Sequence, residues 1–198
     1  SYRNLLSDLF FVYSAMEQEI ARLNEDGHPV ISRIFYSELN RKETLEQDLA
    51  FYFGDDWAQK LSPSPSAKLY VDRIHKVANE TPELLIGHHY TRYIGDLSGG
   101  QMLKTIAQKA LNLNGKDGLH FYDFDEISDQ KSFKLKYSEN LDSMPIDQGM
   151  ADLIVQEANK AFECNMDMFK ELEGNLIAAI GLVLFRFLTR RKIKGSTE

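Results

Sequence analysis

Leu5, Leu9, Tyr13, Met16 and Ile20 recur at spacings of three and four, and that rhythm governs most of the chain. Apolar residues spaced in this way share one face of a helix, whereas a half-buried strand needs every second residue apolar. No alternating run of useful length occurs, and no internal repeat. The chain is therefore constrained to an all-α fold. Its 198 residues, 43% of them hydrophobic, can fill one core, so residues 1–198 read as a single domain. That domain is a bundle of about eight helices.

The first helix ends at "NEDGHP" (24–29). A second helical stretch over about 30–40 leads through "NRKETLEQDLAFYF" (40–53) until "GDD" breaks the pattern. "SPSPS" (62–66) is a linker, with Ser66 placed to cap a helix running to about Asn79. Thr81 then caps a further helix with Pro82 at its first position, continuing to about Leu111. After a loop over 112–124, helices are expected at about 128–141 and from Pro145 to about Arg190.

Composition excludes several functions. A formal charge of −7 argues against a nucleic-acid partner, which selects a basic face. The single cysteine, Cys164, excludes a disulfide framework or an iron–sulfur site within one chain, and fits a reducing compartment. Neither an H-E-x-x-H nor a Glu-x-x-His pair of the ferritin kind is present. "LIAAIGLVLFRFL" (176–188) contains Arg186 and falls short of the roughly 20 apolar residues of a membrane span. It reads as a buried helix. With no signal-peptide pattern at the start, the chain reads as soluble.

One stretch defies its own helix. "YTRYIGDLSGGQMLK" (90–104) holds three glycines, each costing about 1 kcal/mol against alanine. Gly95 and Gly99 are four apart and share a face, and Gly100 extends the bare surface. Such a patch admits either a closely packed second helix or a flat ligand lying against the backbone. Tyr90, Arg92 and Asp96 flank it with hydrogen-bonding groups that helix packing does not require. Arg92 and Asp96 also form an i,i+4 pair, readable as a surface ion pair of about 0.3–0.5 kcal/mol or as a carboxylate organising water above a ligand. Spacing alone leaves both open.

"HYTRYIGDLSGGQMLKTIAQKAL" (89–111) closely resembles the distal-helix signature of heme oxygenases. "SYRNLL" (1–6), "ELNRKETLEQDLAFYFG" (38–54), "YVDRIHKVANETPELL" (70–85) and "EANKAFECNMDMFKELE" (157–173) resemble other segments of that family, in order. The chain's end is most similar to soluble members of the cyanobacterial and algal branch. The resemblance implies a bundle that sandwiches heme between a proximal helix and a distal helix bent at its glycines. Heme is then both substrate and oxygen-activating cofactor, with O2 as co-substrate. Its ring is cleaved at the α-meso carbon to biliverdin, CO and ferrous iron, feeding phycobilin biosynthesis. By the same resemblance Asp96 holds the water network that protonates the activated oxygen, with Tyr13 and Arg92 as its partners. Tyr90 and Lys134 contact the heme propionates, and Thr91, Gly95, Gly99, Gly100, Phe162, Asn165 and Phe169 line the pocket. On spacing alone, Tyr13, Phe162, Asn165 and Phe169 fit an ordinary buried helix face equally well.

Further expectations follow from the resemblance. The electron donor is a ferredoxin or a reductase. Ferredoxins are acidic, which makes Lys104, Lys109, Lys134 and Lys136 candidates for a basic docking patch. A biliverdin or bilin reductase acts downstream, in the cytoplasm or, for an alga, the plastid stroma. Two departures stand out. Ser138 occupies the position of a propionate-side arginine, leaving Lys136 as a substitute base. The family's iron-ligating histidine lies on a helix preceding the segment that matches 1–6, so this sequence is expected to lack that helix and to supply no metal ligand of its own. It then reads as a fragment of a longer enzyme, as a truncated non-catalytic tetrapyrrole binder, or as a chain in which His28, His75, His88, His89 or His120 has taken over. A helical interaction module would explain the helices but leave Tyr90, Asp96 and the glycines without purpose.

Overall fold

The computed structural model describes residues 1–172, and the expected helix beyond that point, including 176–188, lies outside the described residues. The described residues contain helices and no strand. They run α1 (Tyr2–Glu25), α2 (Lys42–Phe53), the short α3 (Trp57–Lys60), α4 (Pro65–Glu80), α5 (Leu85–His89), α6 (Gly95–Leu111), α7 (Gln130–Asp142) and α8 (Gln148–Glu171). The periodic residues of α1 form its buried face, which packs on α2 and α4, while α4 and α5 pack on α8. None of the described helices is long and apolar enough to cross a membrane.

The helix expected over 30–40 is instead two 3-10 turns, Ile31–Ile34 and Ser37–Leu39. Val30, Ile31, Phe35 and Tyr36 are β-branched or aromatic and lose rotamer freedom in a helix. His28 Nδ1 also accepts the backbone N–H groups of Val30 (3.3 Å) and Ile31 (3.2 Å), which removes the need for helical partners. The cap of α4 is Ser64, not Ser66. Its hydroxyl accepts from Ala67 N at 3.1 Å, with Pro65 at the first helical position. The start of α2 is capped from α1, where Glu17 Oε1 accepts from Arg41 N at 2.6 Å and Lys42 N at 3.1 Å.

The α5–α8 crossing depends on Gly87. A Cβ there would stand 2.7 Å from Ala158 N and 2.9 Å from Ile154 O, both main-chain atoms that cannot swing aside. Gly87→Ala should destabilise the fold by about 1–3 kcal/mol through overpacking, read as a lower urea midpoint with unchanged slope. Beside it, the buried Glu157 receives Arg73 Nε and His88 Nε2, both at 2.8 Å on Oε1, together with Arg73 Nη2 on Oε2. Burial alone would raise this carboxyl above its ordinary 4.5, but the hydrogen bonds from Arg73 and His88 outweigh it and bring it to about 2. A folded pKa below the unfolded one stabilises the fold above pH 4.5, and the contribution is lost as pH falls toward about 2. Glu157→Gln should therefore lower the urea midpoint at neutral pH, and the gap to the native chain should close across that window.

Candidate functional site

Between α5 and α6 the backbone forms a single π-helical stretch, Tyr90–Ile94. Such widened turns are uncommon and occur mostly at functional sites. Gly95 keeps helical angles, φ −62° and ψ −51°, so the irregularity of this helix lies in the π-turn immediately before it. Arg92, Tyr93 and Ile94 are carried inward by the widened turn.

The three glycines separate into two kinds. A Cβ at Gly95 or Gly99 would meet no atom of the described residues within 4 Å, so neither glycine is explained by helix packing among them. Gly100 departs from the open face expected of it: its missing side chain faces Tyr122, whose carbonyl oxygen would be 3.5 Å from the added carbon. Gln101 Nε2 donates to the same carbonyl at 3.3 Å. Gly100 thus seats the helix on the 120–122 turn, which α2 holds through Asp48, accepting from His120 N and Phe121 N, each at 2.8 Å.

The Arg92–Asp96 pair is not a surface pair. Both residues, with Asn165, are 4% exposed, and Tyr13 is fully buried. Arg92 Nη2 donates to Asp96 Oδ1 at 3.3 Å and Oδ2 at 3.2 Å, and Arg92 Nε to the Tyr13 hydroxyl at 3.2 Å. The Tyr13 hydroxyl donates to Asp96 Oδ2. Arg92 Nη1 donates to Asn165 Oδ1 at 2.6 Å, and Asn165 Nδ2 to Ala161 O at 2.8 Å, anchoring the cluster to α8. Burial raises the Asp96 carboxyl well above the ordinary carboxylate range and lowers the Arg92 guanidinium. Asp96 is therefore a more basic carboxylate than an exposed one.

The remaining expected residues divide. Lys134 Nζ lies 3.4 Å from the Ser98 hydroxyl, next to Gly99 in sequence. Tyr90 is half-buried, its ring 6.3 Å from that of Tyr137. Phe162 is half-buried and Phe169 buried on α8. The Thr91 hydroxyl turns to α8, donating to Ala158 O at 3.4 Å. Lys136 is exposed. Lys104 leaves the set of free surface bases, because Nζ is held by Asp123 Oδ1 at 2.6 Å and Oδ2 at 2.7 Å. All five histidines engage a ring nitrogen within the protein: His28 with backbone N–H groups, His89 with Tyr137, and His75, His88 and His120 with carboxylates.

Residues 1–171 match the heme oxygenase family. The chain belongs to that family. Heme oxygenase 1 of Nostoc sp. is 54% identical over 198 residues, which span all of this chain and 82% of the relative. Heme oxygenase 1 of Synechocystis sp. is 55% identical over 198 residues, again all of this chain and 81% of the relative. The crystal structure of heme oxygenase-1 from Synechocystis sp. in complex with heme matches with a TM-score of 0.84 and 54% identity, covering 94% of this chain and 83% of that one. For a heme oxygenase, the bare face at Gly95 and Gly99 fits a flat macrocycle lying flush with the main chain, and Asp96 of the buried cluster stands on the same helix. The residues present fit heme.

Proposed function

We propose that this heme oxygenase cleaves heme with O2 at the α-meso carbon, forming biliverdin, CO and ferrous iron. The observation that carries this reading is a side-chain-free face at Gly95 and Gly99 next to Asp96 on α6, with Asp96 held in a buried network by Arg92, by Tyr13 of α1 and, through Arg92, by Asn165 of α8. Heme bound there supplies the iron that activates O2 and the meso carbon that is attacked. Gly95 and Gly99 let the ring approach the backbone and leave room for a small ligand to tilt. Asp96 takes a proton at its carboxyl and passes it through water toward that space, a water-relayed form of general acid catalysis. Arg92 and Tyr13 fix the carboxyl's orientation, and Asn165 ties the guanidinium to α8. Tyr90 and Lys134 are assigned to the ring's carboxylates, where a charged hydrogen bond sets orientation and hence which meso carbon is attacked. Phe162 and Phe169 are assigned to the ring's apolar surface.

An acidic ferredoxin or a reductase is the electron source in this reading, docking on Lys109, Lys134 and Lys136. Raising salt about tenfold, from about 0.05 to about 0.5 M, shortens the Debye length roughly threefold. Ferredoxin-supported turnover should fall across that span, and an unchanged rate would remove the basic patch. The product would pass to a bilin-reducing enzyme. The deciding experiment supplies heme, O2 and reduced ferredoxin and measures CO and bilin, expected in equal amounts. Tight heme binding without CO would instead favour a tetrapyrrole carrier.

A further inference from the structure

Four tyrosines and a histidine form a connected row from the Asp96 network to the surface. Tyr13 meets Tyr93 edge-on with ring centroids 5.1 Å apart, and Tyr93 lies 4.5 Å from the His89 imidazole. His89 stacks on Tyr137 at 5.6 Å with planes 5° apart, and Tyr137 lies 5.7 Å from the half-buried Tyr36. Rings alone would satisfy packing, and a buried hydroxyl carries a desolvation cost that phenylalanine avoids. Yet Tyr13, Tyr93 and Tyr137 are all fully buried phenols, and each faces a base. Tyr13 donates to Asp96 Oδ2, Tyr93 donates to Glu17 Oε1 at 3.3 Å, and the Tyr137 hydroxyl lies 2.7 Å from His89 Nδ1. Burial pushes His89 down to about 3, so its ring is neutral and Nδ1 can accept the hydrogen bond of the Tyr137 hydroxyl. A phenol loses an electron most readily when its proton can pass at once to a base within hydrogen-bond reach. That arrangement occurs three times in one row.

We propose that this row drains one-electron oxidising equivalents from the heme site to the protein surface, sparing the site when turnover fails. The inference rests on the heme reading, which supplies the oxidant: the one-electron oxidant formed when bound heme meets hydrogen peroxide. In the first step one electron leaves Tyr13 for that oxidant, which is reduced by one equivalent, and the phenolic proton passes to Asp96. An electron from Tyr93 then refills Tyr13, which recovers its proton from Asp96 while the Tyr93 proton moves to Glu17. Tyr137 refills Tyr93 across His89 in the same way. Its proton goes to Nδ1, and Glu17 returns the proton it held to Tyr93. Tyr36 finally refills Tyr137, which recovers its proton from His89, and the Tyr36 proton leaves to solvent. A soluble thiol or ascorbate restores Tyr36 with one hydrogen atom, so the chain ends unchanged.

The test uses the heme-loaded chain, its Tyr93→Phe variant and its Tyr137→Phe variant, with heme binding first measured by absorbance titration. Hydrogen peroxide is added, tyrosyl radical is followed by freeze-quench electron paramagnetic resonance, and oxidised tyrosines are located by peptide mass spectrometry. The native chain should show oxidation at Tyr36. Tyr93→Phe should lose it at both Tyr137 and Tyr36 and bleach its heme faster, whereas Tyr137→Phe should lose it at Tyr36 and retain it at Tyr93. Bound heme with the same Tyr36 oxidation in native and Tyr93→Phe proteins would overturn the row alone, as would a native chain with no tyrosine oxidised. Absence of heme binding in the titration would overturn the heme reading, and the row's source of oxidant with it.

Discussion

Asp96→Ala should eliminate nearly all bilin formation from bound heme, a loss of about 10²–10⁴-fold as expected for a positioned proton donor. The argument begins with burial. A carboxyl 4% exposed, raised in pKa by desolvation and gripped by Arg92 and the Tyr13 hydroxyl, is a proton-exchanging group fixed in one place. Alanine removes that carboxyl and strands the Arg92 guanidinium, and breaking a buried pair costs about 3–5 kcal/mol. Lost activity in Asp96→Ala alone would therefore mix chemistry with instability. Asp96→Asn separates them, because the amide keeps a hydrogen-bonding group of the same shape but cannot carry the acidic proton. Both variants should bind heme in an absorbance titration, consume reductant and damage heme without releasing CO in proportion. A normal biliverdin yield from either variant would remove Asp96 from the role assigned to it.

How much of this was legible in the sequence depends on how far each interaction reaches. The all-α class was, because spacings of three and four are local, and α1, α2 and the segment through Leu111 follow them. The 30–40 segment misled because its apolar residues, among them the buried Ile31, Ile34 and Leu39, anchor turns rather than a helix face. Glu17 capping α2 from α1 had no local signal, since donor and acceptor are 24 residues apart. At the site, the Arg92–Asp96 pair was visible as i,i+4, but its burial was not. Tyr13 and Asn165 lie 83 and 73 residues from their partners and were reachable only through the family resemblance. Gly87 was missed altogether. Its only trace was an isolated glycine in a helical pattern, the mark of a close packing contact.

Gly99→Leu should raise stability and lower heme affinity together, and that opposition is what distinguishes a binding face from a packing contact. Outside its own helical turn, no described atom lies within 4 Å of the position a Cβ would take at Gly99, so the first carbon of the new side chain meets no clash among the described residues. Replacing glycine within α6 with a good helix former then gains about 0.5–1 kcal/mol of helix preference. The same side chain occupies the space assigned to the ring. Forcing bulk into a fitted contact costs about 1–3 kcal/mol, which corresponds to a dissociation constant raised about five- to 150-fold. Gly87→Ala should behave in the opposite way, losing stability because its Cβ meets backbone at 2.7 Å. Urea midpoints and heme titrations on the two variants give four readings. If Gly99→Leu bound heme as tightly as the native chain, the ring would lie elsewhere. If it unfolded more easily, the bare face would be a helix contact, and the link between these glycines and the ring would fail.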